Sequence, residues 1–288
     1  MVTFIVNLIL AAAVQDYSWD CPGTGYLPSR RELLVTTGQT AELIESSEAT
    51  ILHVGFDESA GATRRRARYS DGHLPGALHL KWSTLQSPLL PAASRVEAFE
   101  ALGLTPGRRI VLYDTGLGFE AAAAYVALDS LGLAEHAALL DGQWVKWVAE
   151  GRPLCRWTAE AKPSRLDVRS SEIAIHRNET ASLLLQPEVL LLNAGSGPMS
   201  SRRASLTMTG PEQLSSLQMP VWKGETHLRR LWSAVPARAE QRLVVAGRHW
   251  TQAAPVYFAA KLLGYCVQLM DGSIEELGDS EEALESGP

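Results

Sequence analysis

Two stretches of this chain pair an apolar run with a short polar segment and then a helical one, the arrangement in which a nucleophile or an anion sits. The first is Asp114-Thr115-Gly116-Leu117-Gly118, directly after the apolar residues 110–113. The second is Gly247-Arg248-His249-Trp250-Thr251-Gln252, after residues 243–245 and before a run from Pro255 that Gly264 closes as a helix. A loop feeding a helix N-terminus points backbone N–H groups into one small space, where the helix dipole favours negative charge. In the second loop Arg248 adds a fixed positive fork, and Thr251 and Gln252 add donors. Trp250 reads as an interdomain packing residue ahead of a lid, and His249 as a hydrogen-bonded loop residue ahead of a proton carrier. His249 and Thr251 resemble a base and a hydroxyl, but no carboxylate is placed to orient them. In the first loop Asp114, with Glu120 close in sequence, makes an acidic mouth. Asp114 reads equally as a cap for the next helix or as an acceptor for the loop amides in place of an anion. Neither loop contains a cysteine.

The three cysteines, Cys21, Cys155 and Cys266, are widely spaced, and an odd number cannot form a complete disulfide framework. With no Cys-x-x-Cys and no metal-ligand spacing among the seven histidines, neither a metal site nor a cofactor is expected. Cys266 reads as a packed core cysteine at the start of a strand. Cys155 lies in a connecting segment from which it can reach a cleft between domains. The 288 residues suffice for two cores. A 46% apolar and 20% charged composition is ordinary for a globular chain, and the net charge of −6 argues against nucleic acid as a partner. The basic cluster Arg64-Arg65-Arg66-Ala67-Arg68 reads as a solvated loop. Residues 4–14 are apolar and contain Ala11-Ala12-Ala13, like a signal-peptide core and cleavage site, and the run is too short for an integral membrane span. No Lys or Arg precedes it. The protein is exported or periplasmic if residues 1–13 are a cleaved signal peptide and cytoplasmic otherwise. Asn178-Glu179-Thr180 is a glycosylation sequon only in a eukaryotic secretory protein.

The elements that must position these loops are read from the apolar period. Helices are expected at 40–45, 95–102 and 121–131, with one more from Asp141-Gly142-Gln143-Trp144 through 149. Strands are expected at 51–54, 78–80, 110–113 and 137–140. The alternation predicts an α/β fold with a parallel central sheet flanked by helices on both faces. Residues 153–164 have no period and read as an interdomain linker. The order then returns at 190–192, 243–245, 257–264 and Asp271-Gly272-Ser273, an internal duplication with a repeat of about 130 residues. The expected division is a leader and linker at 1–32, a first domain at 33–152, the linker at 153–164 and a degenerate second domain at 165–288. Where the first copy has Gly72-His73-Leu74-Pro75-Gly76-Ala77, the second offers only the region around Met219-Pro220-Val221.

That turn, with Leu139-Leu140-Asp141-Gly142-Gln143-Trp144, Gly151-Arg152-Pro153 and the run from Tyr257 to Tyr265, resembles the tandem rhodanese family over residues 33–278. Members are two-domain thiosulfate or 3-mercaptopyruvate sulfurtransferases. The resemblance implies two tandem rhodanese-like α/β domains. It also implies a loop cysteine after the strand at 243–245, whose thiolate takes a sulfane sulfur, holds it as a persulfide and passes it to cyanide or another acceptor. Matching through 257–264 puts Gly247 at that position, and a slip by one residue puts Ala246 or Arg248 there. None is a nucleophile. Asp114 stands in the first domain, as in members whose first copy is non-catalytic. The expectation is a rhodanese-fold protein without sulfurtransferase activity, a pseudoenzyme acting as an anion-binding, regulatory or scaffold module with a small anion or a protein as partner. The alternative is an active sulfurtransferase using a displaced thiol such as Cys155. A phosphatase of this fold needs a Cys followed by five residues and an Arg, which the chain lacks. His73 is expected to be structural, its ring tying strand to turn while Pro75 and Gly76 set the backbone.

Overall fold

Short runs of β-branched and leucine residues, alternating with helices, form two parallel sheets in the computed structural model of the chain. It describes residues 30–56, 67–88, 90–169, 171–184, 186, 189–194, 204–207, 221–232 and 242–273. The readings of the leader with Cys21, of Arg64 to Arg66 and of Met219-Pro220 fall outside the described residues. The first sheet comprises β1 (Leu34–Val35), β2 (Ala49–Gly55), β3 (Leu78–Lys81), β4 (Arg109–Tyr113) and β5 (Ala137–Leu140), in the order β1-β5-β4-β2-β3. The second comprises β6 (Ala174–His176), β7 (Val189–Asn193), β8 (Ala204–Thr207), β9 (Arg242–Gly247) and β10 (Val267–Ser273), in the order β6-β10-β9-β7-β8. All pairings are parallel, and taken in chain order the two sheets have the same strand sequence. Parallel strands need helical crossovers, and these cover both faces. The helices are α1 (Arg30–Leu33), α2 (Thr37–Glu45), α3 (Ala92–Ala101), α4 (Phe119–Asp129), α5 (Gln143–Ala149), α6 (Arg177–Leu183), α7 (Glu225–Trp232) and α8 (Trp250–Leu262). No helix among the described residues is long and apolar enough to cross a membrane.

α4 and α8 place both candidate loops, because each loop runs directly into one of them. Both helices are apolar around most of their circumference, which is the pattern of a buried helix rather than an amphipathic one. Residues 120–129 of α4 are all buried, as are residues 253–262 of α8. The alanines at 121–124 and at 253, 254, 259 and 260 are fully buried in one apolar cluster that spans both halves. Small side chains let the helices approach closely, and Tyr125 then meets Phe258 edge-on at 5.0 Å between ring centroids. One charged group crosses this interface. Asp129 Oδ2 lies 3.2 Å from Lys261 Nζ and accepts a 2.7 Å hydrogen bond from Tyr257 Oη. The Asp129 and Lys261 side chains are only 2% and 6% exposed.

Two expectations need correcting. α8 begins at Trp250, a full turn before Pro255, which lies inside the helix. The expected six-residue loop is therefore only residues 248 and 249. Proline lacks the N–H that would bond the Thr251 carbonyl, but Thr251 is half-exposed and water can serve that oxygen. Residues 153–164, expected as an interdomain linker, lack helix and extended strand and are fastened to the first half. His73 and Cys155 form an isolated antiparallel bridge, with N···O distances of 2.9 and 2.8 Å, and the Trp147 indole donates to the Pro153 carbonyl. Ser164 N–H donates to the Glu100 carbonyl, and Leu166 N–H to Glu100 Oε1.

Removing one member of a buried ion pair strands the other charge, at a cost of about 3–5 kcal/mol. Lys261→Met is expected to lower stability by about that amount in urea denaturation, and Asp129→Asn/Lys261→Met by clearly less, because the double variant leaves no unpaired buried charge.

Candidate functional site

The first loop is a ring of amides closed on a carboxylate. β4 ends at Tyr113, and Gly118, with φ of 87°, turns the chain into α4. Asp114 Oδ1 accepts from Gly116 N–H at 2.7 Å and Gly118 N–H at 3.1 Å, and Oδ2 accepts from Ala121 N–H at 3.2 Å. The hollow that an external anion would fill is thus occupied by the loop's own side chain. A Cβ at Gly118 would meet Gln143 Nε2 at 3.0 Å and Trp222 Nε1 at 3.3 Å, so only glycine fits both the backbone turn and the space. Gln143, the first residue of α5, braces the loop: its Oε1 accepts from Asp114 N–H at 2.9 Å and its Nε2 donates to the Leu140 carbonyl at 2.6 Å. It holds this pose with φ of 52°, unusual for a residue with a side chain. Thr115 Oγ1 donates to the Ala67 carbonyl, while Leu117 is half-exposed.

The second loop is closed by a neutral acceptor. Gly247 ends β9, and His249 caps α8 in an extended conformation. Arg248 N–H donates to Gln252 Oε1 at 2.9 Å. A Cβ at Gly247 would lie 3.1 Å from that oxygen and 3.3 Å from the His249 carbonyl oxygen. Gln252 therefore folds back over Gly247, and Gly247, Arg248 and Gln252 are brought together. Trp250 is 7% exposed and belongs to the core cluster shared by both halves. His249 is exposed and Thr251 half-exposed.

The cysteines stand apart from both loops' hydrogen bonds. Cys155 is a free, half-buried thiol whose Sγ lies 3.6 Å from the Trp157 carbonyl oxygen. Its backbone pairs with His73 in the first half rather than turning into a cleft. Cys266, expected as a packed core thiol, is instead disulfide-bonded. The His73 ring contacts the Tyr69 carbonyl at 2.9 Å and the Trp157 carbonyl at 3.1 Å, tying the turn to the linker rather than to a strand. Among the described residues no group of three or more His, Cys, Asp or Glu side chains is placed to hold a metal ion.

Residues 62–150 match the family model of the rhodanese-like domain. The chain carries a rhodanese-like domain. Its rhodanese-like fold is shared with the anaerobic ergothioneine biosynthesis enzyme of Chlorobium limicola, solved with trimethyl histidine, at a TM-score of 0.73 and 17% identity over 85% of this chain and 68% of that one. Among curated relatives it is 29% identical over 180 residues to a probable 3-mercaptopyruvate sulfurtransferase of Pseudomonas aeruginosa, covering 57% of this chain and 62% of that protein. It is 25% identical over 282 residues to the sulfur carrier protein TtuD of Thermus thermophilus, covering 86% of this chain and 94% of that protein.

Three residues at the first loop of the rhodanese-like domain are not singled out by sequence reasoning: Gln143, Trp222 and His53. Gln143 lies in a quoted motif, so its type and position were available. Trp222, whose N–H donates to Asp141 Oδ1 at 2.8 Å, comes from the other half, and His53 reads only as a strand residue.

Burial, then the charge and hydrogen bond of Glu120, push the Asp114 carboxyl up to about 8 against the opposing pull of the Gly116 and Ala121 amides. Burial, then His79 and His73, push the His53 imidazole down to about 3. The unfolded chain releases the Asp114 proton near 3.8 while the fold keeps it, so this stability contribution is lost as pH rises towards about 8. His53 acts oppositely: its contribution is present above 6.5 and lost as pH falls towards about 3. Above about pH 6.5 only the first of these two effects operates. The urea midpoint is expected to fall between pH 6.5 and 8, and to fall less in Glu120→Gln, where Asp114 ionises more easily.

Proposed function

We propose that this chain is a rhodanese-fold module that carries out no sulfane-sulfur transfer through either strand-to-helix loop. Its two halves are proposed to be tandem copies of one unit, at 33–152 and 165–288. The observation that carries this reading is the Gln252 carboxamide oxygen on the Arg248 amide, directly over Gly247. Sulfur transfer needs an ionisable sulfur in such a hollow: its thiolate attacks the sulfane sulfur of thiosulfate, sulfite leaves, and the persulfide gives that sulfur to cyanide. Here the resemblance puts Gly247 at the nucleophile's position, and Gln252 supplies the acceptor that a thiolate would otherwise provide. In the first half the Asp114 carboxyl fills the corresponding hollow and takes the amides an anionic donor would need.

What such a hollow retains is recognition. The Arg248 amide and guanidinium, with the N-terminus of α8, favour a small anion that displaces the exposed Gln252 side chain. On this reading the protein is a binding or regulatory module for a small anion or a protein partner, descended from a sulfurtransferase fold. A second reading keeps the enzyme and assigns the chemistry to Cys155, since it is the free thiol among the described residues.

Purified protein is expected to release no thiocyanate from thiosulfate and cyanide above the protein-free blank, and to form no persulfide by mass spectrometry. Turnover lost in Cys155→Ser would instead establish the second reading. Gly247 has no left-handed backbone angle, and its tightest neighbour is the end of a flexible side chain, so the hollow admits a cysteine. Gly247→Cys is therefore expected to gain a thiosulfate-dependent persulfide, and Gly247→Cys/Gln252→Ala to gain more of it.

A further inference from the structure

Beside Asp114 the first half holds a cavity of about 40 Å³, room for about three water-sized groups. Its described walls include Asp114, Glu120, His53, Tyr69, Phe56 and the exposed Arg68. An acidic pair alone would carry no site, but His53 adds an independent observation. It is 2% exposed, and its Nδ1 is a buried polar atom with no hydrogen-bond partner. Such an orphan is unfavourable unless a ligand or water completes it. Desolvation keeps this imidazole neutral at ordinary pH, and in the tautomer with its proton on Nε2 the partnerless Nδ1 is an acceptor. The cavity thus presents carboxyl oxygens and an imidazole lone pair against two aromatic rings, a set that suits a compact cation with several N–H donors.

We propose that this cavity binds the ammonium group of a small organic amine, held by the Asp114 and Glu120 carboxyls and the His53 ring. A small anion is excluded by the acid pair. A divalent metal is disfavoured because, among the described residues, no group of three or more His, Cys, Asp or Glu side chains is placed to hold one. Two kinds of molecule carry such a group, a simple alkylamine and an amino acid. Arg68, exposed in the same wall, is placed to take the carboxylate of the latter. Glu120 from α4 bears on Asp114 directly, His53 from β2 and Arg68 and Tyr69 from the segment before β3 share the cavity wall with it, and His79 of β3 and His73 lie against His53 and Tyr69. Burial holds the His53 imidazole and the Tyr69 hydroxyl neutral across pH 6 to 8.5, while burial and Glu120 bring the Asp114 carboxyl into that range. Binding of a cation expels the proton the pair holds, so affinity rises with pH over that range.

The test is a ¹H–¹⁵N NMR titration of the full chain with methylammonium and with glycine, read at the Gly116, Gly118 and Ala121 amides that bond Asp114. Saturable shifts are expected with both, tighter at pH 8.5 than at pH 6 by about tenfold or more. Glu120→Gln and His53→Phe, each checked for a folded spectrum, are expected to weaken both ligands by about tenfold. An Arg68→Ala variant that weakens glycine and spares methylammonium identifies an amino acid as the ligand class; no effect on either identifies a simple amine. Absence of saturation with either ligand, or unchanged affinity in folded His53→Phe, overturns the proposal. The thiocyanate assay does not bear on this result, so the two readings fail separately.

Discussion

Backbone N–H groups that converge where a buried strand turns into a buried helix must be given an acceptor. Water cannot reach most of them, and an unmet buried donor costs about 1–3 kcal/mol. An enzyme can spend that demand on a thiolate or a bound anion. This chain meets it internally and differently in its two halves. A carboxylate takes three amides at Asp114, and a carboxamide takes one at Gln252. Once each hollow has its own acceptor, the shape of an anion site persists without the vacancy that defines one.

The two solutions differ in charge, and that difference propagates. Asp114 is a carboxylate sealed from solvent next to Glu120, so the first site holds a proton near neutrality, and that proton, rather than a counter-cation, is what tolerates two acids in one place. Gln252 is neutral and exposed, so the second site keeps a positive character from Arg248 and the helix dipole and can yield to a ligand. The halves therefore present opposite electrostatic faces on one fold.

Both loops owe their position to the same packed surface. Because α4 and α8 are sealed against each other by alanines and aromatic rings, with Asp129, Tyr257 and Lys261 satisfying one another inside the seal, neither loop can shift without disturbing the shared core. Trp222 extends the coupling: it comes from the second half, packs on Phe258 at 4.9 Å between ring centroids and stands against the first loop at Gly118. Small residues on the two helices thus determine how rigidly both hollows are held.

The sequence by itself determined the strands at 51–54, 78–80, 110–113 and 137–140, the helix that became α4, the likeness to rhodaneses and the absence of a cysteine from both loops. Apolar period and residue identity are local properties, legible without knowing what packs against what. The start of α8 was misplaced because a proline normally marks a boundary, and only the buried setting on either side of Pro255 carries the helix through it. α7 and the bracing roles of Gln143 and Trp222 were not legible either. The tertiary structure alone decided that Gln252 closes over Gly247, that burial beside Glu120 keeps a proton on Asp114, that residues 153–164 are bound to the first half through His73 and Cys155, and that His53 lines a cavity. Each of these depends on which groups from distant parts of the chain lose water together, and a linear sequence does not encode the distance between them.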